Sequence, residues 1–290
     1  MSFQDKLLDS FIAFEQVVDL DNPIHTYRKN ALKRFESKGF PTKKDELWKY
    51  TSLKSIIQKD YSLSVKNNPN VGLKDIKKYS INDIDSYKIV FVDGVFNPFL
   101  SNTSHDGMDI CVLSAALSKT KYKKTINKYF NKIVPDDQSL ASLNTSYTQE
   151  GAYIYIPKSV LPEDPVQILH FSSGKNKPLW LQPRNLIIVE ENARVEIIER
   201  HQSLRAHDGV TNSLTEVYAE KNSFIDYYKI QNDLETSNLI DNTFIDQQRD
   251  SNVRVHTFSF GGKLTRNNLN FYHKGDNIQS TLKGLTILEA

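Results

Sequence analysis

Apolar residues recur at two spacings along this chain, and the change from one to the other divides it. Near the start, Phe3, Leu7, Leu8, Phe11 and Phe14 fall three and four positions apart, the spacing of one helix face. Asn22-Pro23 offers a cap and a proline at the first helical position, and Tyr27, Ala31, Leu32 and Phe35 continue on one side of a second helix. Gly39 and Pro41 should end it. Thr42-Lys43-Lys44-Asp45 reads as a capping box opening a short helix that carries Leu47 and Trp48. Residues 1–60 are therefore expected to be helical.

Residues 61–140 are mixed. Lys88-Ile-Val-Phe-Val-Asp-Gly-Val-Phe96 has the form of a strand, a turn at Asp93-Gly94 and a second strand. Ser114 is placed to cap a helix reaching about Phe130, with Leu117, Ile126, Tyr129 and Phe130 inward. The lysines between Lys119 and Lys132 read as its solvated face.

Over residues 141–290 helical spacing gives way to short β-rich runs. All ten prolines lie at or before Pro183. Proline cannot donate to a strand ladder, so a long proline-free β-rich stretch predicts strands paired on both sides. The stretch also repeats: Asn185–Glu199, Thr215–Lys229, a unit from Phe244 through Asn252 to Val255, and one from Leu269 through Asn277 to Ile278. Each is an apolar run, a polar turn and another apolar run. The turn asparagines Asn192, Asn222 and Asn252 are 30 apart, and Asn277 follows after 25. A period of this size with strands in every unit predicts a mainly β protein, a parallel β-helix core preceded by a helical N-terminal region. An antiparallel sandwich would need hairpin turns and more proline. The chain stops at Gly284–Ala290 as if inside a coil, which is expected of a truncated solenoid with an open edge.

Composition narrows the chemistry. The 290 residues carry a formal net charge of +2, too even a balance for nucleic acid as the main partner. The single cysteine, Cys111, excludes an intrachain disulfide and a four-thiolate metal site; its apolar neighbours suit a small hydrophobe. No secretory signal and no membrane-length apolar run is apparent, which suggests the cytoplasm. Gly174-Lys175 and Gly262-Lys263 lack the rest of a phosphate loop.

The histidines are 25, 105, 170, 201, 207, 256 and 273, and none forms a standard ligand motif. His201 and His207 read as loop histidines at the surface. His256 and His273, on successive coils, could stack without ligating. Asp226, Asp241 and Asp246 would be the acids of a β-helix carbohydrate-active enzyme, but each is as well explained as an outward polar residue. No catalytic residue and no metal site is expected, and a cofactor site cannot be assigned.

Several segments resemble the SufD branch of the SufB/SufD family, scaffold proteins of the SUF iron–sulfur cluster assembly system. They are Gly39-Phe-Pro-Thr-Lys-Lys-Asp-Glu-Leu-Trp-Lys-Tyr-Thr-Ser-Leu53, Val90–Phe96, Leu143-Asn-Thr with Gly151–Lys158, Pro183–Val195 and Gly261–Arg266, in the family's order across nearly the whole chain. The Pro-Thr-Lys-Lys-Asp-Glu-Leu-Trp opening favours SufD over SufB. The resemblance implies a non-catalytic scaffold subunit that pairs with a SufB-like paralogue and a SufC-like ATPase. By itself it would bind no cofactor, the cluster being handled by the full complex. A histidine late in the family's β-helix faces SufB; this sequence ends before that segment, so the role is not carried onto His256 or His273. In isolation the open edge should favour a homodimer. A carbohydrate-active β-helix enzyme and a generic solenoid assembly module are the alternatives.

Overall fold

The computed structural model describes residues 2–288, apart from 19, 23, 64–70, 80, 82, 83, 106, 149 and 176. Pro23 and Ala290, both invoked above, lie outside the described residues.

Helix α1 (Phe3–Glu15) starts where Ser2 accepts from the Asp5 N–H and Asp5 accepts from the Ser2 N–H, a reciprocal cap. It buries Phe3, Leu7 and Phe11. Helix α2 (Ile24–Lys38) begins with Asn22 accepting from the Ile24 N–H at 3.1 Å. It ends at Gly39, whose φ of +66° is the left-handed cap expected there. Thr42 and Asp45 close a turn, and Glu46–Trp48 form a single 3₁₀ turn. Short helices α3 (Lys54–Ile57) and α4 (Leu73–Ile76) follow.

Strands β1 (Tyr87–Val92) and β2 (Val95–Phe96) form the expected hairpin, with Asp93 and Gly94 both at positive φ. Next come β3 (Asp109–Val112), α5 (Leu113–Ser118), α6 (Lys123–Tyr129) and α7 (Ser139–Ser146). The single helix expected from Ser114 to Phe130 is thus two. Lys119 takes extended backbone, and Thr120–Tyr122 form a 3₁₀ turn that buries Tyr122. Ser114 caps nothing; its hydroxyl donates to Glu150 at 3.0 Å.

The remaining strands are β4 (Ala152–Ile156), β5 (Val166–Ser172), β6 (Trp180–Leu181), β7 (Arg184–Val189), β8 (Arg194–Ser203), β9 (Val210–Ala219) and β10 (Phe224–Asp233). They are followed by β11 (Asn238–Gln247), β12 (Asn252–Gly261), β13 (Leu264–His273) and β14 (Gln279–Ile287). One sheet runs β14-β12-β10-β8-β5-β1-β2 and the other β13-β11-β9-β7-β4-β3, with β6 also pairing β9. Pairing is parallel except at β1–β2 and β3–β4. Successive strands alternate between the sheets from β7 to β14, so the chain winds as a flattened parallel β-solenoid of about four coils.

The polar turns between paired strands share one device. Asn192, Asn222, Asp250 and Asn277 each hold a φ between +54° and +61°. Each of the first three donates its N–H to a carbonyl of the next coil: Lys221, Arg249 and Asp276, at 3.0–3.1 Å. Asn222 also donates to the Asn192 side chain and Asn277 to Asp250. The third member is Asp250 rather than Asn252, which begins β12 and donates to Gln279. Asparagine and aspartate tolerate this backbone because their short polar side chains bond locally.

The solenoid interior is apolar beside these turns, where Ile187, Val189, Val195, Ile197, Val217, Ile225, Ile245 and Val253 pack in one cluster. Helices α1, α2 and α5–α7 cover the outer face of the second sheet, while α4 packs on β1 and β5 of the first. Phe3, Phe35, Phe40 and Tyr61 close on Trp180, with Val210 and Ile240 beneath. In α7, Asn144 donates to the Pro183 and Asn212 carbonyls at 2.9 and 2.7 Å.

Gly151 enters β4 where a Cβ would lie 1.9 Å from the Arg184 carbonyl oxygen. Gly151→Ala should therefore cost about 2–4 kcal/mol from strain and overpacking together, read as a lower urea midpoint.

Candidate functional site

Beyond the apolar lane the interior turns polar. Strand β8 runs inward Val195, Ile197, then Glu199, His201 and Ser203; β10 runs Ile225, Tyr227, then Lys229, Gln231 and Asp233. Bonds across the interior fix these orientations. Asn185 of β7 donates to Glu199 at 2.9 Å, Lys229 lies 3.0 Å from Asp241 of β11, and Asn267 of β13 donates to Ser259 of β12 at 3.3 Å.

Glu199 is the hub. Its Oε2 accepts from Lys229 Nζ at 2.6 Å and from the Tyr227 hydroxyl; its Oε1 lies 3.3 Å from His201 Nε2 and 3.8 Å from His170 Nε2. Parallel register sets His170 of β5 directly beside His201, with stacked rings 4.7 Å apart. Among the described residues, His170 Nε2 finds no hydrogen-bond partner. One Glu199 oxygen and a nitrogen from each ring lie within 4.8 Å of one another, and all three residues are buried.

The electrostatics follow from this packing. Burial, then the adjacent His201, pushes His170 down to about 3, so that ring is neutral. Burial also opposes charge on His201, but Glu199, with Asp241 and Asp233 beyond it, outweighs burial and draws its pKa upward. For Lys229 burial is likewise overcome, by Asp241 and Glu199, and its pKa lies well above the ordinary value. Glu199 is held well below its ordinary value: burial resists, and the Lys229 charge prevails. Asp241 is raised by burial, with Lys229 opposing.

A small cleft, partly open to solvent, reaches this cluster; His170, His201 and Asp233 line it, with Gly94, Leu181 and Pro183. Two imidazoles and a carboxylate at its inner end can exchange a proton or hold a cation.

The residues singled out in the sequence are distributed differently. His201 is a buried strand residue, not a surface loop residue, because it faces the solenoid interior; His207 lies in the following loop. His256 and His273 do not meet: they sit on different sheets, and His256 stacks on Tyr228 instead. Asp226 faces outward between Arg194 and Arg254, Asp246 takes a hydrogen bond from Gln248, and only Asp241 points inward. The three aspartates therefore form no common acid cluster. Cys111 is partly buried among apolar residues, and burial raises its pKa, as suits a small hydrophobe rather than a nucleophile. Glu199, Lys229 and His170 were not singled out from the sequence. For Glu199 and Lys229 the signal was the alternation Val195-x-Ile197-x-Glu199-x-His201, read against the next coil's Ile225-x-Tyr227-x-Lys229.

Residues 1–168 match the SufBD protein N-terminal region, and residues 170–290 match the SufBD core domain of the SUF system for FeS cluster assembly. The chain belongs to the SufBD family. Among its relatives is an iron–sulfur cluster assembly SufBD family protein of Synechocystis, 25% identical over 276 residues, 92% of this chain and 60% of the relative. Escherichia coli SufD is 24% identical over 250 residues, 84% of this chain and 54% of the relative. Bacillus subtilis SufB is 35% identical over 104 residues, 34% of this chain and 21% of the relative. The chain thus spans little more than half the length of the first two, and with relatives named SufD among its matches it is a SufD-like member of the family. Among the described residues, no helix is long and apolar enough to cross a membrane.

Proposed function

We propose that this chain is a non-catalytic scaffold subunit of iron–sulfur cluster assembly, acting with a SufB-like paralogue and a SufC-like ATPase. The observation that carries the reading is the ordered match of both SufBD regions across the chain, on a solenoid whose strands form the expected parallel rungs. The geometry supports it further. Strands β13 and β14 end their sheets, so each presents one edge without a strand partner among the described residues. Such edges template pairing with another chain. Leu282, Leu285 and Ile287 of β14 are about half exposed, which gives that edge an apolar contact surface.

Co-expression of the tagged chain with the SufB-like and SufC-like proteins of the same organism should yield a stable complex on size exclusion. Light scattering of the chain alone should report a dimer. A chain that captures neither partner, and whose deletion leaves cluster loading of acceptor proteins normal, would defeat the proposal.

A further inference from the structure

We infer that His170, Glu199 and His201 form a binding site for one divalent first-row transition-metal ion inside the solenoid. This goes beyond the assembly role and stands without it.

The donor set is the first ground. Two imidazole nitrogens and one carboxylate oxygen form a borderline nitrogen–oxygen set suited to Zn²⁺, Fe²⁺ or Co²⁺, whereas Mg²⁺ and Ca²⁺ seek oxygen alone. Ligand atoms about 2.0–2.2 Å from such an ion sit roughly 3–4 Å from one another. Glu199 Oε1 already lies 3.3 Å from one ring nitrogen and 3.8 Å from the other.

The second ground is an orphaned donor atom. His170 Nε2 is buried, faces Glu199 across 3.8 Å, and hydrogen-bonds to no protein group among the described residues. A buried polar atom left this way calls for a partner, and an ion between the rings and Oε1 would supply one.

Charge and orientation agree. Two carboxylates, Glu199 and Asp241, face the single ammonium of Lys229. Lys229 and Tyr227 occupy Oε2, so Oε1 is the oxygen turned to the histidines. Asn185 braces the same carboxylate, as outer partners brace metal ligands elsewhere. The cleft lined by His170 and His201 provides entry.

The test uses the whole chain, freed of any tag and metal-stripped, titrated with Zn²⁺ by calorimetry and with Co²⁺ by visible absorption and NMR. The expected result is one equivalent bound, with two hyperfine-shifted exchangeable ring N–H signals in the Co²⁺ form. His170→Asn should weaken Zn²⁺ binding by more than about 100-fold, the most that loss of an outer-shell partner costs. Its fold should persist, because the Nε2 atom it removes makes no hydrogen bond among the described residues. His207→Ala should bind as the parent does. The inference is overturned if the folded parent takes up no stoichiometric ion, or if His170→Asn binds undiminished. Because the Co²⁺ signals are read on the unsubstituted chain, their absence would overturn it even if a variant failed to fold.

Discussion

Glu216→Ala should destabilise the protein by about 3–5 kcal/mol, the usual cost of stripping one member from a buried ion pair. Glu216 of β9 and Arg184 of β7 are both fully buried on the outer face of the second sheet, with Arg184 Nη2 2.5 Å from Glu216 Oε1. The carboxylate also accepts from the backbone N–H of Asn131 at 2.8 Å, from that of Lys132 at 3.2 Å and from the Tyr218 hydroxyl at 3.2 Å. Arg184 in turn reaches Thr145 and Asn131 and lies against the Phe130 ring. The pair is therefore the polar bolt between the helical layer and the solenoid. Removing the carboxylate leaves a buried guanidinium without its counter-charge and two backbone donors unmatched. Urea unfolding checks this. Glu191→Ala, which breaks the exposed Lys158 pair, should cost less than about 1 kcal/mol in the same assay. Equal costs for the two variants would show that the bolt carries no special share of stability.

Lys229→Met should be of similar severity, about 3–5 kcal/mol near neutral pH. The ammonium is nearly inaccessible and sits between Glu199 at 2.6 Å and Asp241 at 3.0 Å; without it two buried carboxylates face each other. The loss should depend on pH in a definite sense. Burial already raises the Asp241 carboxyl, and Lys229 is the charge that opposes the rise. In the variant its folded pKa climbs further. A carboxyl raised in the folded state contributes stability below its unfolded value and loses it as pH rises through the interval above. The variant should thus lie closer to the parent at about pH 4 than at about pH 7. Parallel urea titrations at the two pH values decide it. A deficit that is constant, or larger at the acidic value, contradicts the described arrangement.

The two halves of the chain were legible to different depths. Spacing alone gave α1, α2 and the Asp93-Gly94 hairpin, because each joins a periodic apolar face to a local stop signal. The rungs were legible because the left-handed turn admits few residue types; Asn252 was mistaken for a turn residue only because Asp250 fills the same backbone position as well. The helix from Ser114 failed at Lys119, where burial of Tyr122 outweighed helical continuity. The interior cluster was out of reach for a different reason. His170 and His201 become neighbours through register across a coil, not through proximity along the chain, and a ligand search by short motif spacing cannot find them. Asp241 was read as outward because an acid on a strand usually is; only Lys229, arriving from the opposite sheet, makes its burial tolerable.

The ladder joining Asn192, Asn222, Asp250 and Asn277 makes the molecule extensible in whole steps. Each rung bonds to its neighbours by the same backbone pattern, so a complete coil inserted at one of these corners would lengthen the rod by about 4.8 Å and leave every other corner in register. An insertion of half a coil would instead swap the two sheets for everything downstream, and would carry strands meant for one wall round to the other.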